Sequence, residues 1–335
     1  GVSISTAIAP VEWRDFKINL IDTPGYFDFS GEVYSSLRAS EAALVVLDAQ
    51  NGIEVGAEKV LKYTENIELP RIIFVNKMDK ENVNFAKVVS DLHIAFGKKV
   101  IPFTLALGEG ENFKGIIDVL NKKAYEYDGK DDENAKEIEI PADLKDIVET
   151  RRSELIEIVA EYDDEVMNKY LEGEELSIAD IKKAIRKAVL SVEFFPVMCG
   201  TALGNKGIKL LLDAVIDYLP SPLDVEAVKG YDLNEKEITR KPSDSEPFSA
   251  LAFKVMADPF VGRLTFFRVY SGTLKSGSYV LNSNKDSKER IGRILLMHAN
   301  NRSEISEVST GDIAAAVGLK NTTTGDTLCD EKKPI

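Results

Sequence analysis

Short apolar runs alternating with helical patterns across residues 1–220 constrain this chain more than any other feature. The runs at 17–21 (KINLI), 43–47 (ALVVL), 71–75 (RIIFV), 100–103 (VIPF) and 195–198 (FPVM) are rich in β-branched and aromatic residues. Each is four or five residues long and bounded by polar, Gly or Pro signals. Between them, helical patterns fall near 31–39, 55–66, 84–96 and 207–218. Alternating elements of this kind, with near-continuously apolar strands, predict an α/β fold around a mostly parallel sheet covered on both faces. Ligands of such sheets sit at the carboxyl ends of the strands, so the loops after Ile21, Val75 and Met198 are the places to read for chemistry.

At 335 residues the chain is too long for one ordinary core, and two or three domains are expected. Its net charge of −14 argues against non-specific wrapping of nucleic acid and against an anionic membrane surface, since both need a positive field. Docking on a ribonucleoprotein at selected contacts stays open. Cys199 and Cys329 stand far apart without CxxC spacing, so no disulfide framework or thiolate metal cluster is readable and a reducing cytoplasm is the simplest compartment. Two histidines cannot build a histidine-rich metal site. The longest apolar runs are strand-length, no signal peptide is visible, and the absence of an initiator Met before Gly1 makes a missing N-terminus the expectation.

Residues 126–166 carry 16 acidic and 5 basic side chains, while Leu144, Ile147, Val148, Leu155, Ile158 and Val159 keep a helical period. The favoured reading is an amphipathic helix with a solvated acidic face; a docking face for a basic partner is the sharper one. Pro220-Ser221-Pro222 stops the last helix, and the polar stretch 223–245 reads as a linker. From Pro247 onward, strands at 249–255, 264–270, 279–282, 290–298 and 313–317 separated by Gly-containing turns predict a small all-β barrel.

Three loops carry candidate chemistry. Asp22-Thr23-Pro24-Gly25 places a carboxylate that can hold a Mg²⁺-bound water, and a glycine whose N–H can approach a terminal phosphate; alone it is as readily a turn. Asn76-Lys77-Met78-Asp79 places a carboxylate able to accept from the N1–H and 2-amino groups of guanine, a donor pattern that adenine lacks. Asn76 can bridge neighbouring loops, and the Lys77 stem can lie over a base. Read without a ligand, the same tetrapeptide is a strand-to-helix connection with Asp79 as N-cap. Gly200-Thr201-Ala202 exposes backbone N–H groups that could meet a base carbonyl, or is a plain strand-end turn. Their order along one α/β region makes the functional reading the stronger one.

These loops resemble the third, fourth and fifth signature loops of translational GTPases, and the likeness to the bacterial elongation factor G family runs over nearly the whole chain. Asn112-Phe113-Lys114-Gly115-Ile116, Asn205-Lys206-Gly207, Pro220-Ser221-Pro222 and Asp258-Pro259-Phe260-Val261-Gly262 share it. The resemblance implies a P-loop-NTPase-type G domain (1–105 and 194–222) with an inserted α+β subdomain (106–193). The 223–245 linker and a β-barrel second domain (246–335) would follow. It further implies GTP/GDP and Mg²⁺ as ligands and the ribosome as partner. The insert would face the large-subunit stalk, the barrel would rest on the small subunit, and ribosomal RNA would be touched at selected points. A cytoplasmic monomer without membrane contact is expected. Asn76, Lys77, Asp79, Gly200, Thr201 and Ala202 would take the base, Asp22 and Gly25 the phosphate side, and Ser3 with Asp22 (through water) the Mg²⁺.

Three departures qualify the likeness. No G-x-x-x-x-G-K-[ST] occurs, and only 21 residues precede Asp22, so the chain reads as a fragment that begins inside the first switch segment and is inactive without its phosphate cradle. Tyr26 stands where the family has a water-positioning histidine; a phenol is no base at pH 7, though its hydroxyl can orient a water. The chain also ends at Ile335, about where the barrel needs its closing strand. The function expected for the intact protein is GTP hydrolysis coupled to translocation. The alternative is a GTP-gated ribosome-binding regulatory or protection factor that hydrolyses slowly or not at all.

Overall fold

The computed structural model describes residues 3–129, 135–232, 234–299 and 301–335. Gly1, Val2 and positions 130–134 of the acidic stretch lie outside the described residues. Two compact units form, one from 42–219 and one from 1–41 with 220–335.

In the 42–219 unit the parallel sheet has the order Ala43–Asp48, Arg71–Asn76, Phe195–Cys199, Val100–Pro102. Arg71–Asn76 is central and buried along almost its whole length, as its unbroken apolar run demands. The edge strand Ala43–Asp48 instead alternates, with Leu44 and Val46 exposed. Helices Val55–Asn66, Phe85–Phe96 and Ile208–Tyr218 occupy the expected positions. Asn84 caps the second through a 2.8 Å bond from the Lys87 N–H to its side-chain oxygen, and Gly97 at φ +62° ends it. Arg71 is fully buried with its guanidinium carbon 3.8 Å from the centre of the Phe195 ring; burial pushes it down to about 10.

In the stretch read as an insert, the same unit carries an antiparallel sheet, Thr104–Leu107, Gly115–Asp118, Lys123–Tyr127 and Ala135–Ile138 in that order, followed by helices Lys145–Ala160, Asp164–Leu171 and Ile178–Leu190. Val148, Leu155 and Val159 of the acidic helix are buried as the periodicity requires, while Ile147 faces water. Ile72, Phe74, Phe103, Leu155, Ile185 and Tyr218 share one core that joins the parallel sheet to the insert's helices.

The other unit departs from expectation in three places. Phe16–Asp22 is not a fifth parallel strand: it pairs antiparallel with Ala7–Trp13 through a two-residue turn at Arg14 and Asp15, φ +49° and +63°. Such a turn matches the twist of a hairpin, which makes the nearest strand the cheapest partner. Residues 223–245 are not a plain linker either, since Val228–Tyr231 pairs with Glu237–Arg240. Four-residue strands with polar alternation leave almost no periodic signal.

Among the described residues the barrel's sheet has eight antiparallel strands. Their order is Ser287–Arg290, Tyr279–Asn282, Thr327–Cys329, Ser249–Asp258, Gly262–Ser271, Ile313–Val317, Arg293–His298 and Asn301–Ile305. The run expected at 290–298 is broken at Gly292, whose N–H bonds the Val317 carbonyl and where a Cβ would stand 2.7 Å from that oxygen. Phe248, Phe267, Val269, Ile294 and Leu328 fill its core. Helix Ser30–Arg38 belongs to this same unit: Glu32 accepts from the Thr6 N–H at 2.8 Å and meets Lys254 at 3.2 Å, and Arg268 donates to the Ala39 carbonyl at 2.9 Å.

Candidate functional site

The parallel register levels three strand ends, with Asp48 opposite Asn76 and Cys199 opposite Val75. The loops that follow therefore emerge side by side. The Met78 N–H donates to the Gly200 carbonyl at 3.1 Å, and the Gly200 N–H to the Val75 carbonyl at 3.0 Å. Asn76 ties the two turns: its Oδ1 accepts from the Lys77 N–H and from the Ala202 N–H, each at 2.8 Å. Asn76, Lys77, Asp79, Gly200, Thr201 and Ala202 are thus brought together from positions more than a hundred residues apart.

Met78 is fully buried and anchors its loop from below. Lys77 sits at φ +66°, a strained conformation for a long side chain, and such strain concentrates at functional turns. Its ammonium lies 2.6 Å from Asp48 Oδ2, and the Gln50 N–H donates to Asp48 Oδ1 at 2.8 Å. Partial burial pushes the Asp48 carboxyl up, but these hydrogen bonds and the Lys77 charge outweigh it and hold the carboxyl below its ordinary value. Asp79 differs from Asp48. Its Oδ1 is buried and has no hydrogen-bond partner among the described residues. An unpaired buried acceptor costs about 1–3 kcal/mol, and more when charged, unless a donor arrives from outside the chain.

The third turn is closed by a two-way bond pair: the Thr201 N–H donates to the Lys206 carbonyl at 3.1 Å and the Lys206 N–H to the Thr201 carbonyl at 3.0 Å. Gly200 is required here, because a Cβ would stand 2.4 Å from the Lys206 oxygen and 3.0 Å from the Phe74 ring. The expectation that the Thr201 and Ala202 N–H groups stand free for a base carbonyl does not hold. The first is used by Lys206 and the second by Asn76, since the turn closes on itself before it meets any ligand. Leu203 follows, 94% exposed. Cys199 beneath the turn is inert: burial pushes its thiol up to about 12, and its N–H donates to Thr104 Oγ1 at 2.8 Å.

Ser3, Asp22, Gly25 and Tyr26 belong to the unit that holds the barrel. Ala7 pairs with Asp22, so Ser3 and Asp22 lie at the same open end of the hairpin, both exposed. Among the described residues no atom lies within 4 Å of where a Cβ on Gly25 would stand, which leaves its backbone open to close approach. Tyr26 is 58% exposed, and Phe27 beside it 59%. Among the described residues no group of three or more His, Cys, Asp or Glu side chains could hold a metal. A hydroxyl and a carboxylate are nevertheless the hard oxygen donors that Mg²⁺ takes when phosphate and water complete its shell.

Sequence reasoning missed Asp48, Gln50, Glu109 and Tyr127. Asp48 could have been found as the residue ending another parallel strand; the others carry no local signal.

Residues 1–221 match the family model described as the elongation factor Tu GTP binding domain, and residues 247–331 the one described as elongation factor G domain 2. A crystal structure of a protein from Thermus thermophilus is similar at a TM-score of 0.85 and 29% identity, covering 100% of this chain and 47% of that one. The chain therefore spans about half the length of the structure it matches.

Proposed function

From the premise that the chain belongs to the translational GTPases of the elongation factor G family, we propose that its 76–79 and 200–203 turns hold the guanine of GTP and GDP. The buried, partnerless Oδ1 of Asp79 carries this reading. A carboxylate there accepts from two donors on one edge of the ring, which selects guanine over adenine by leaving an unpaired buried charge with the wrong base. Asn76 holds the two turns in register, and the Lys77 stem covers the ring plane. With the Thr201 and Ala202 N–H groups engaged, the base carbonyl falls to the Leu203 N–H.

By the family likeness, the Gly25 N–H would meet a terminal phosphate, and Ser3 and Asp22, the latter through a water, would hold Mg²⁺. When bound, that ion neutralises phosphate charge. The Tyr26 hydroxyl orients the attacking water without taking its proton. In this reading the G domain comprises 1–105 and 194–222, the insert 106–193, and the barrel 246–335. The intact protein then works in the cytoplasm, docks on the ribosome and drives translocation. Among the described residues no helix is long and apolar enough to cross a membrane. The tyrosine at position 26 also favours a second reading, a ribosome-bound switch that hydrolyses slowly.

Asp79→Asn tests the base assignment. In the intact protein it is expected to weaken GDP binding about a hundredfold or more while conferring binding of xanthosine diphosphate, whose 2-oxo group suits an amide donor. Unchanged preference for guanine would remove Asp79 from the base edge.

A further inference from the structure

The antiparallel sheet of the insert touches both base turns from behind. From the Thr104–Leu107/Gly115–Asp118 hairpin, the Gly110 N–H donates to the Met78 carbonyl at 2.9 Å, and Gly110 at φ +61° leaves only 3.2 Å between a notional Cβ and the Lys80 carbonyl. Glu109 Oε1 accepts from the Phe85 N–H at 2.8 Å, tying the same turn to the helix that follows Asp79. On the other side the Phe113 carbonyl accepts from Lys206 Nζ at 3.4 Å. The Tyr127 hydroxyl accepts from the Gly207 N–H at 3.0 Å. Gly207 is held at φ +84° with the Ile116 side chain 2.3 Å from where its Cβ would be. One small sheet thus grips 78–80, 85 and 206–207, the flanks of both turns.

We infer that this sheet is the clamp that sets how fast a bound base leaves, with Tyr127 and Glu109 as its positioning residues. The inference rests on the guanine reading of the 76–79 and 200–203 turns. Neither residue meets the base; each fixes a turn that does. Loosening the clamp widens the separation of the turns and speeds release. It leaves encounter, in which neither residue takes part, unchanged.

The test uses the intact protein and GDP carrying a fluorescent ribose label, chased with excess GDP. Tyr127→Phe keeps the buried ring and removes the hydroxyl that accepts from the Gly207 N–H. It is expected to raise the dissociation rate about tenfold with the association rate unchanged. Glu109→Ala is expected to act in the same direction and Glu109→Gln, which keeps an acceptor for Phe85, to return most of the parent rate. Lowered melting temperatures with parent-like dissociation in Tyr127→Phe and Glu109→Ala would make both residues merely structural and overturn the clamp. A parent protein that binds no labelled GDP at all would instead overturn the guanine reading, and the clamp with it.

Discussion

Gly200→Ala probes the turn on which the proposed base site depends. The new Cβ would stand 2.4 Å from the Lys206 carbonyl oxygen and 3.0 Å from the tip of the buried Phe74 ring. Ordinary contact lies about 1 Å farther out than the first of these, so the carbonyl must retreat. That carbonyl accepts the Thr201 N–H, and moving it opens the bond pair that closes the turn. Overpacking of this kind costs about 1–3 kcal/mol, and the strained hydrogen bond adds about 1 kcal/mol. A total of about 2–4 kcal/mol should lower the melting temperature of the 42–219 unit by roughly 5–15 °C. Thermal unfolding and titration with fluorescent GDP read the two consequences together. Gly25→Ala is the control: its Cβ enters open space, and the melting temperature should stay within about 1 °C of the parent. A Gly200→Ala protein that melts and binds like the parent would refute the steric reasoning.

Tyr26→His in the intact protein is expected to raise ribosome-stimulated GTP turnover about tenfold or more, since an imidazole can take part in proton transfer at pH 7; an unchanged rate removes Tyr26 as the cause of any slowness. Glu32 supplies a pH signature. Partial burial pushes its carboxyl up, but the Thr6 N–H and Lys254 outweigh that and hold it below its ordinary value. Its stabilisation is therefore complete above the unfolded value of about 4.3 and fades as pH falls through the lower folded value. Glu32→Gln should flatten that acid limb in urea unfolding between pH 3 and 7, and two superimposable profiles would exclude the carboxylate as its source.

Much of the fold was readable because local pattern encodes local conformation. The helices at 55–66 and 208–218 fall where their periodicity places them, and the Arg71–Asn76 run is central because it is apolar on both faces. The hairpin of Phe16–Asp22 with Ala7–Trp13 was not readable, because an apolar strand does not announce its partner. The site divides in the same way. Asp79 was identified by its residue type and its place after a strand. Asp48 carries no local signal of its role beyond its place at a strand end, since its partner Lys77 lies on another strand's loop.

The amino-acid order alone located the four parallel strands and the helices beside them, and it offered three turns and one carboxylate as candidates for nucleotide chemistry. Only the tertiary structure decided that Asn76 spends its oxygen on Ala202, that the Thr201 N–H is already taken, and that Tyr127 and Glu109 hold the turns from behind. Most of those choices are hydrogen bonds between residues tens to more than a hundred positions apart. Strand register and burial settle them, and neither is written in the residues next to the bond.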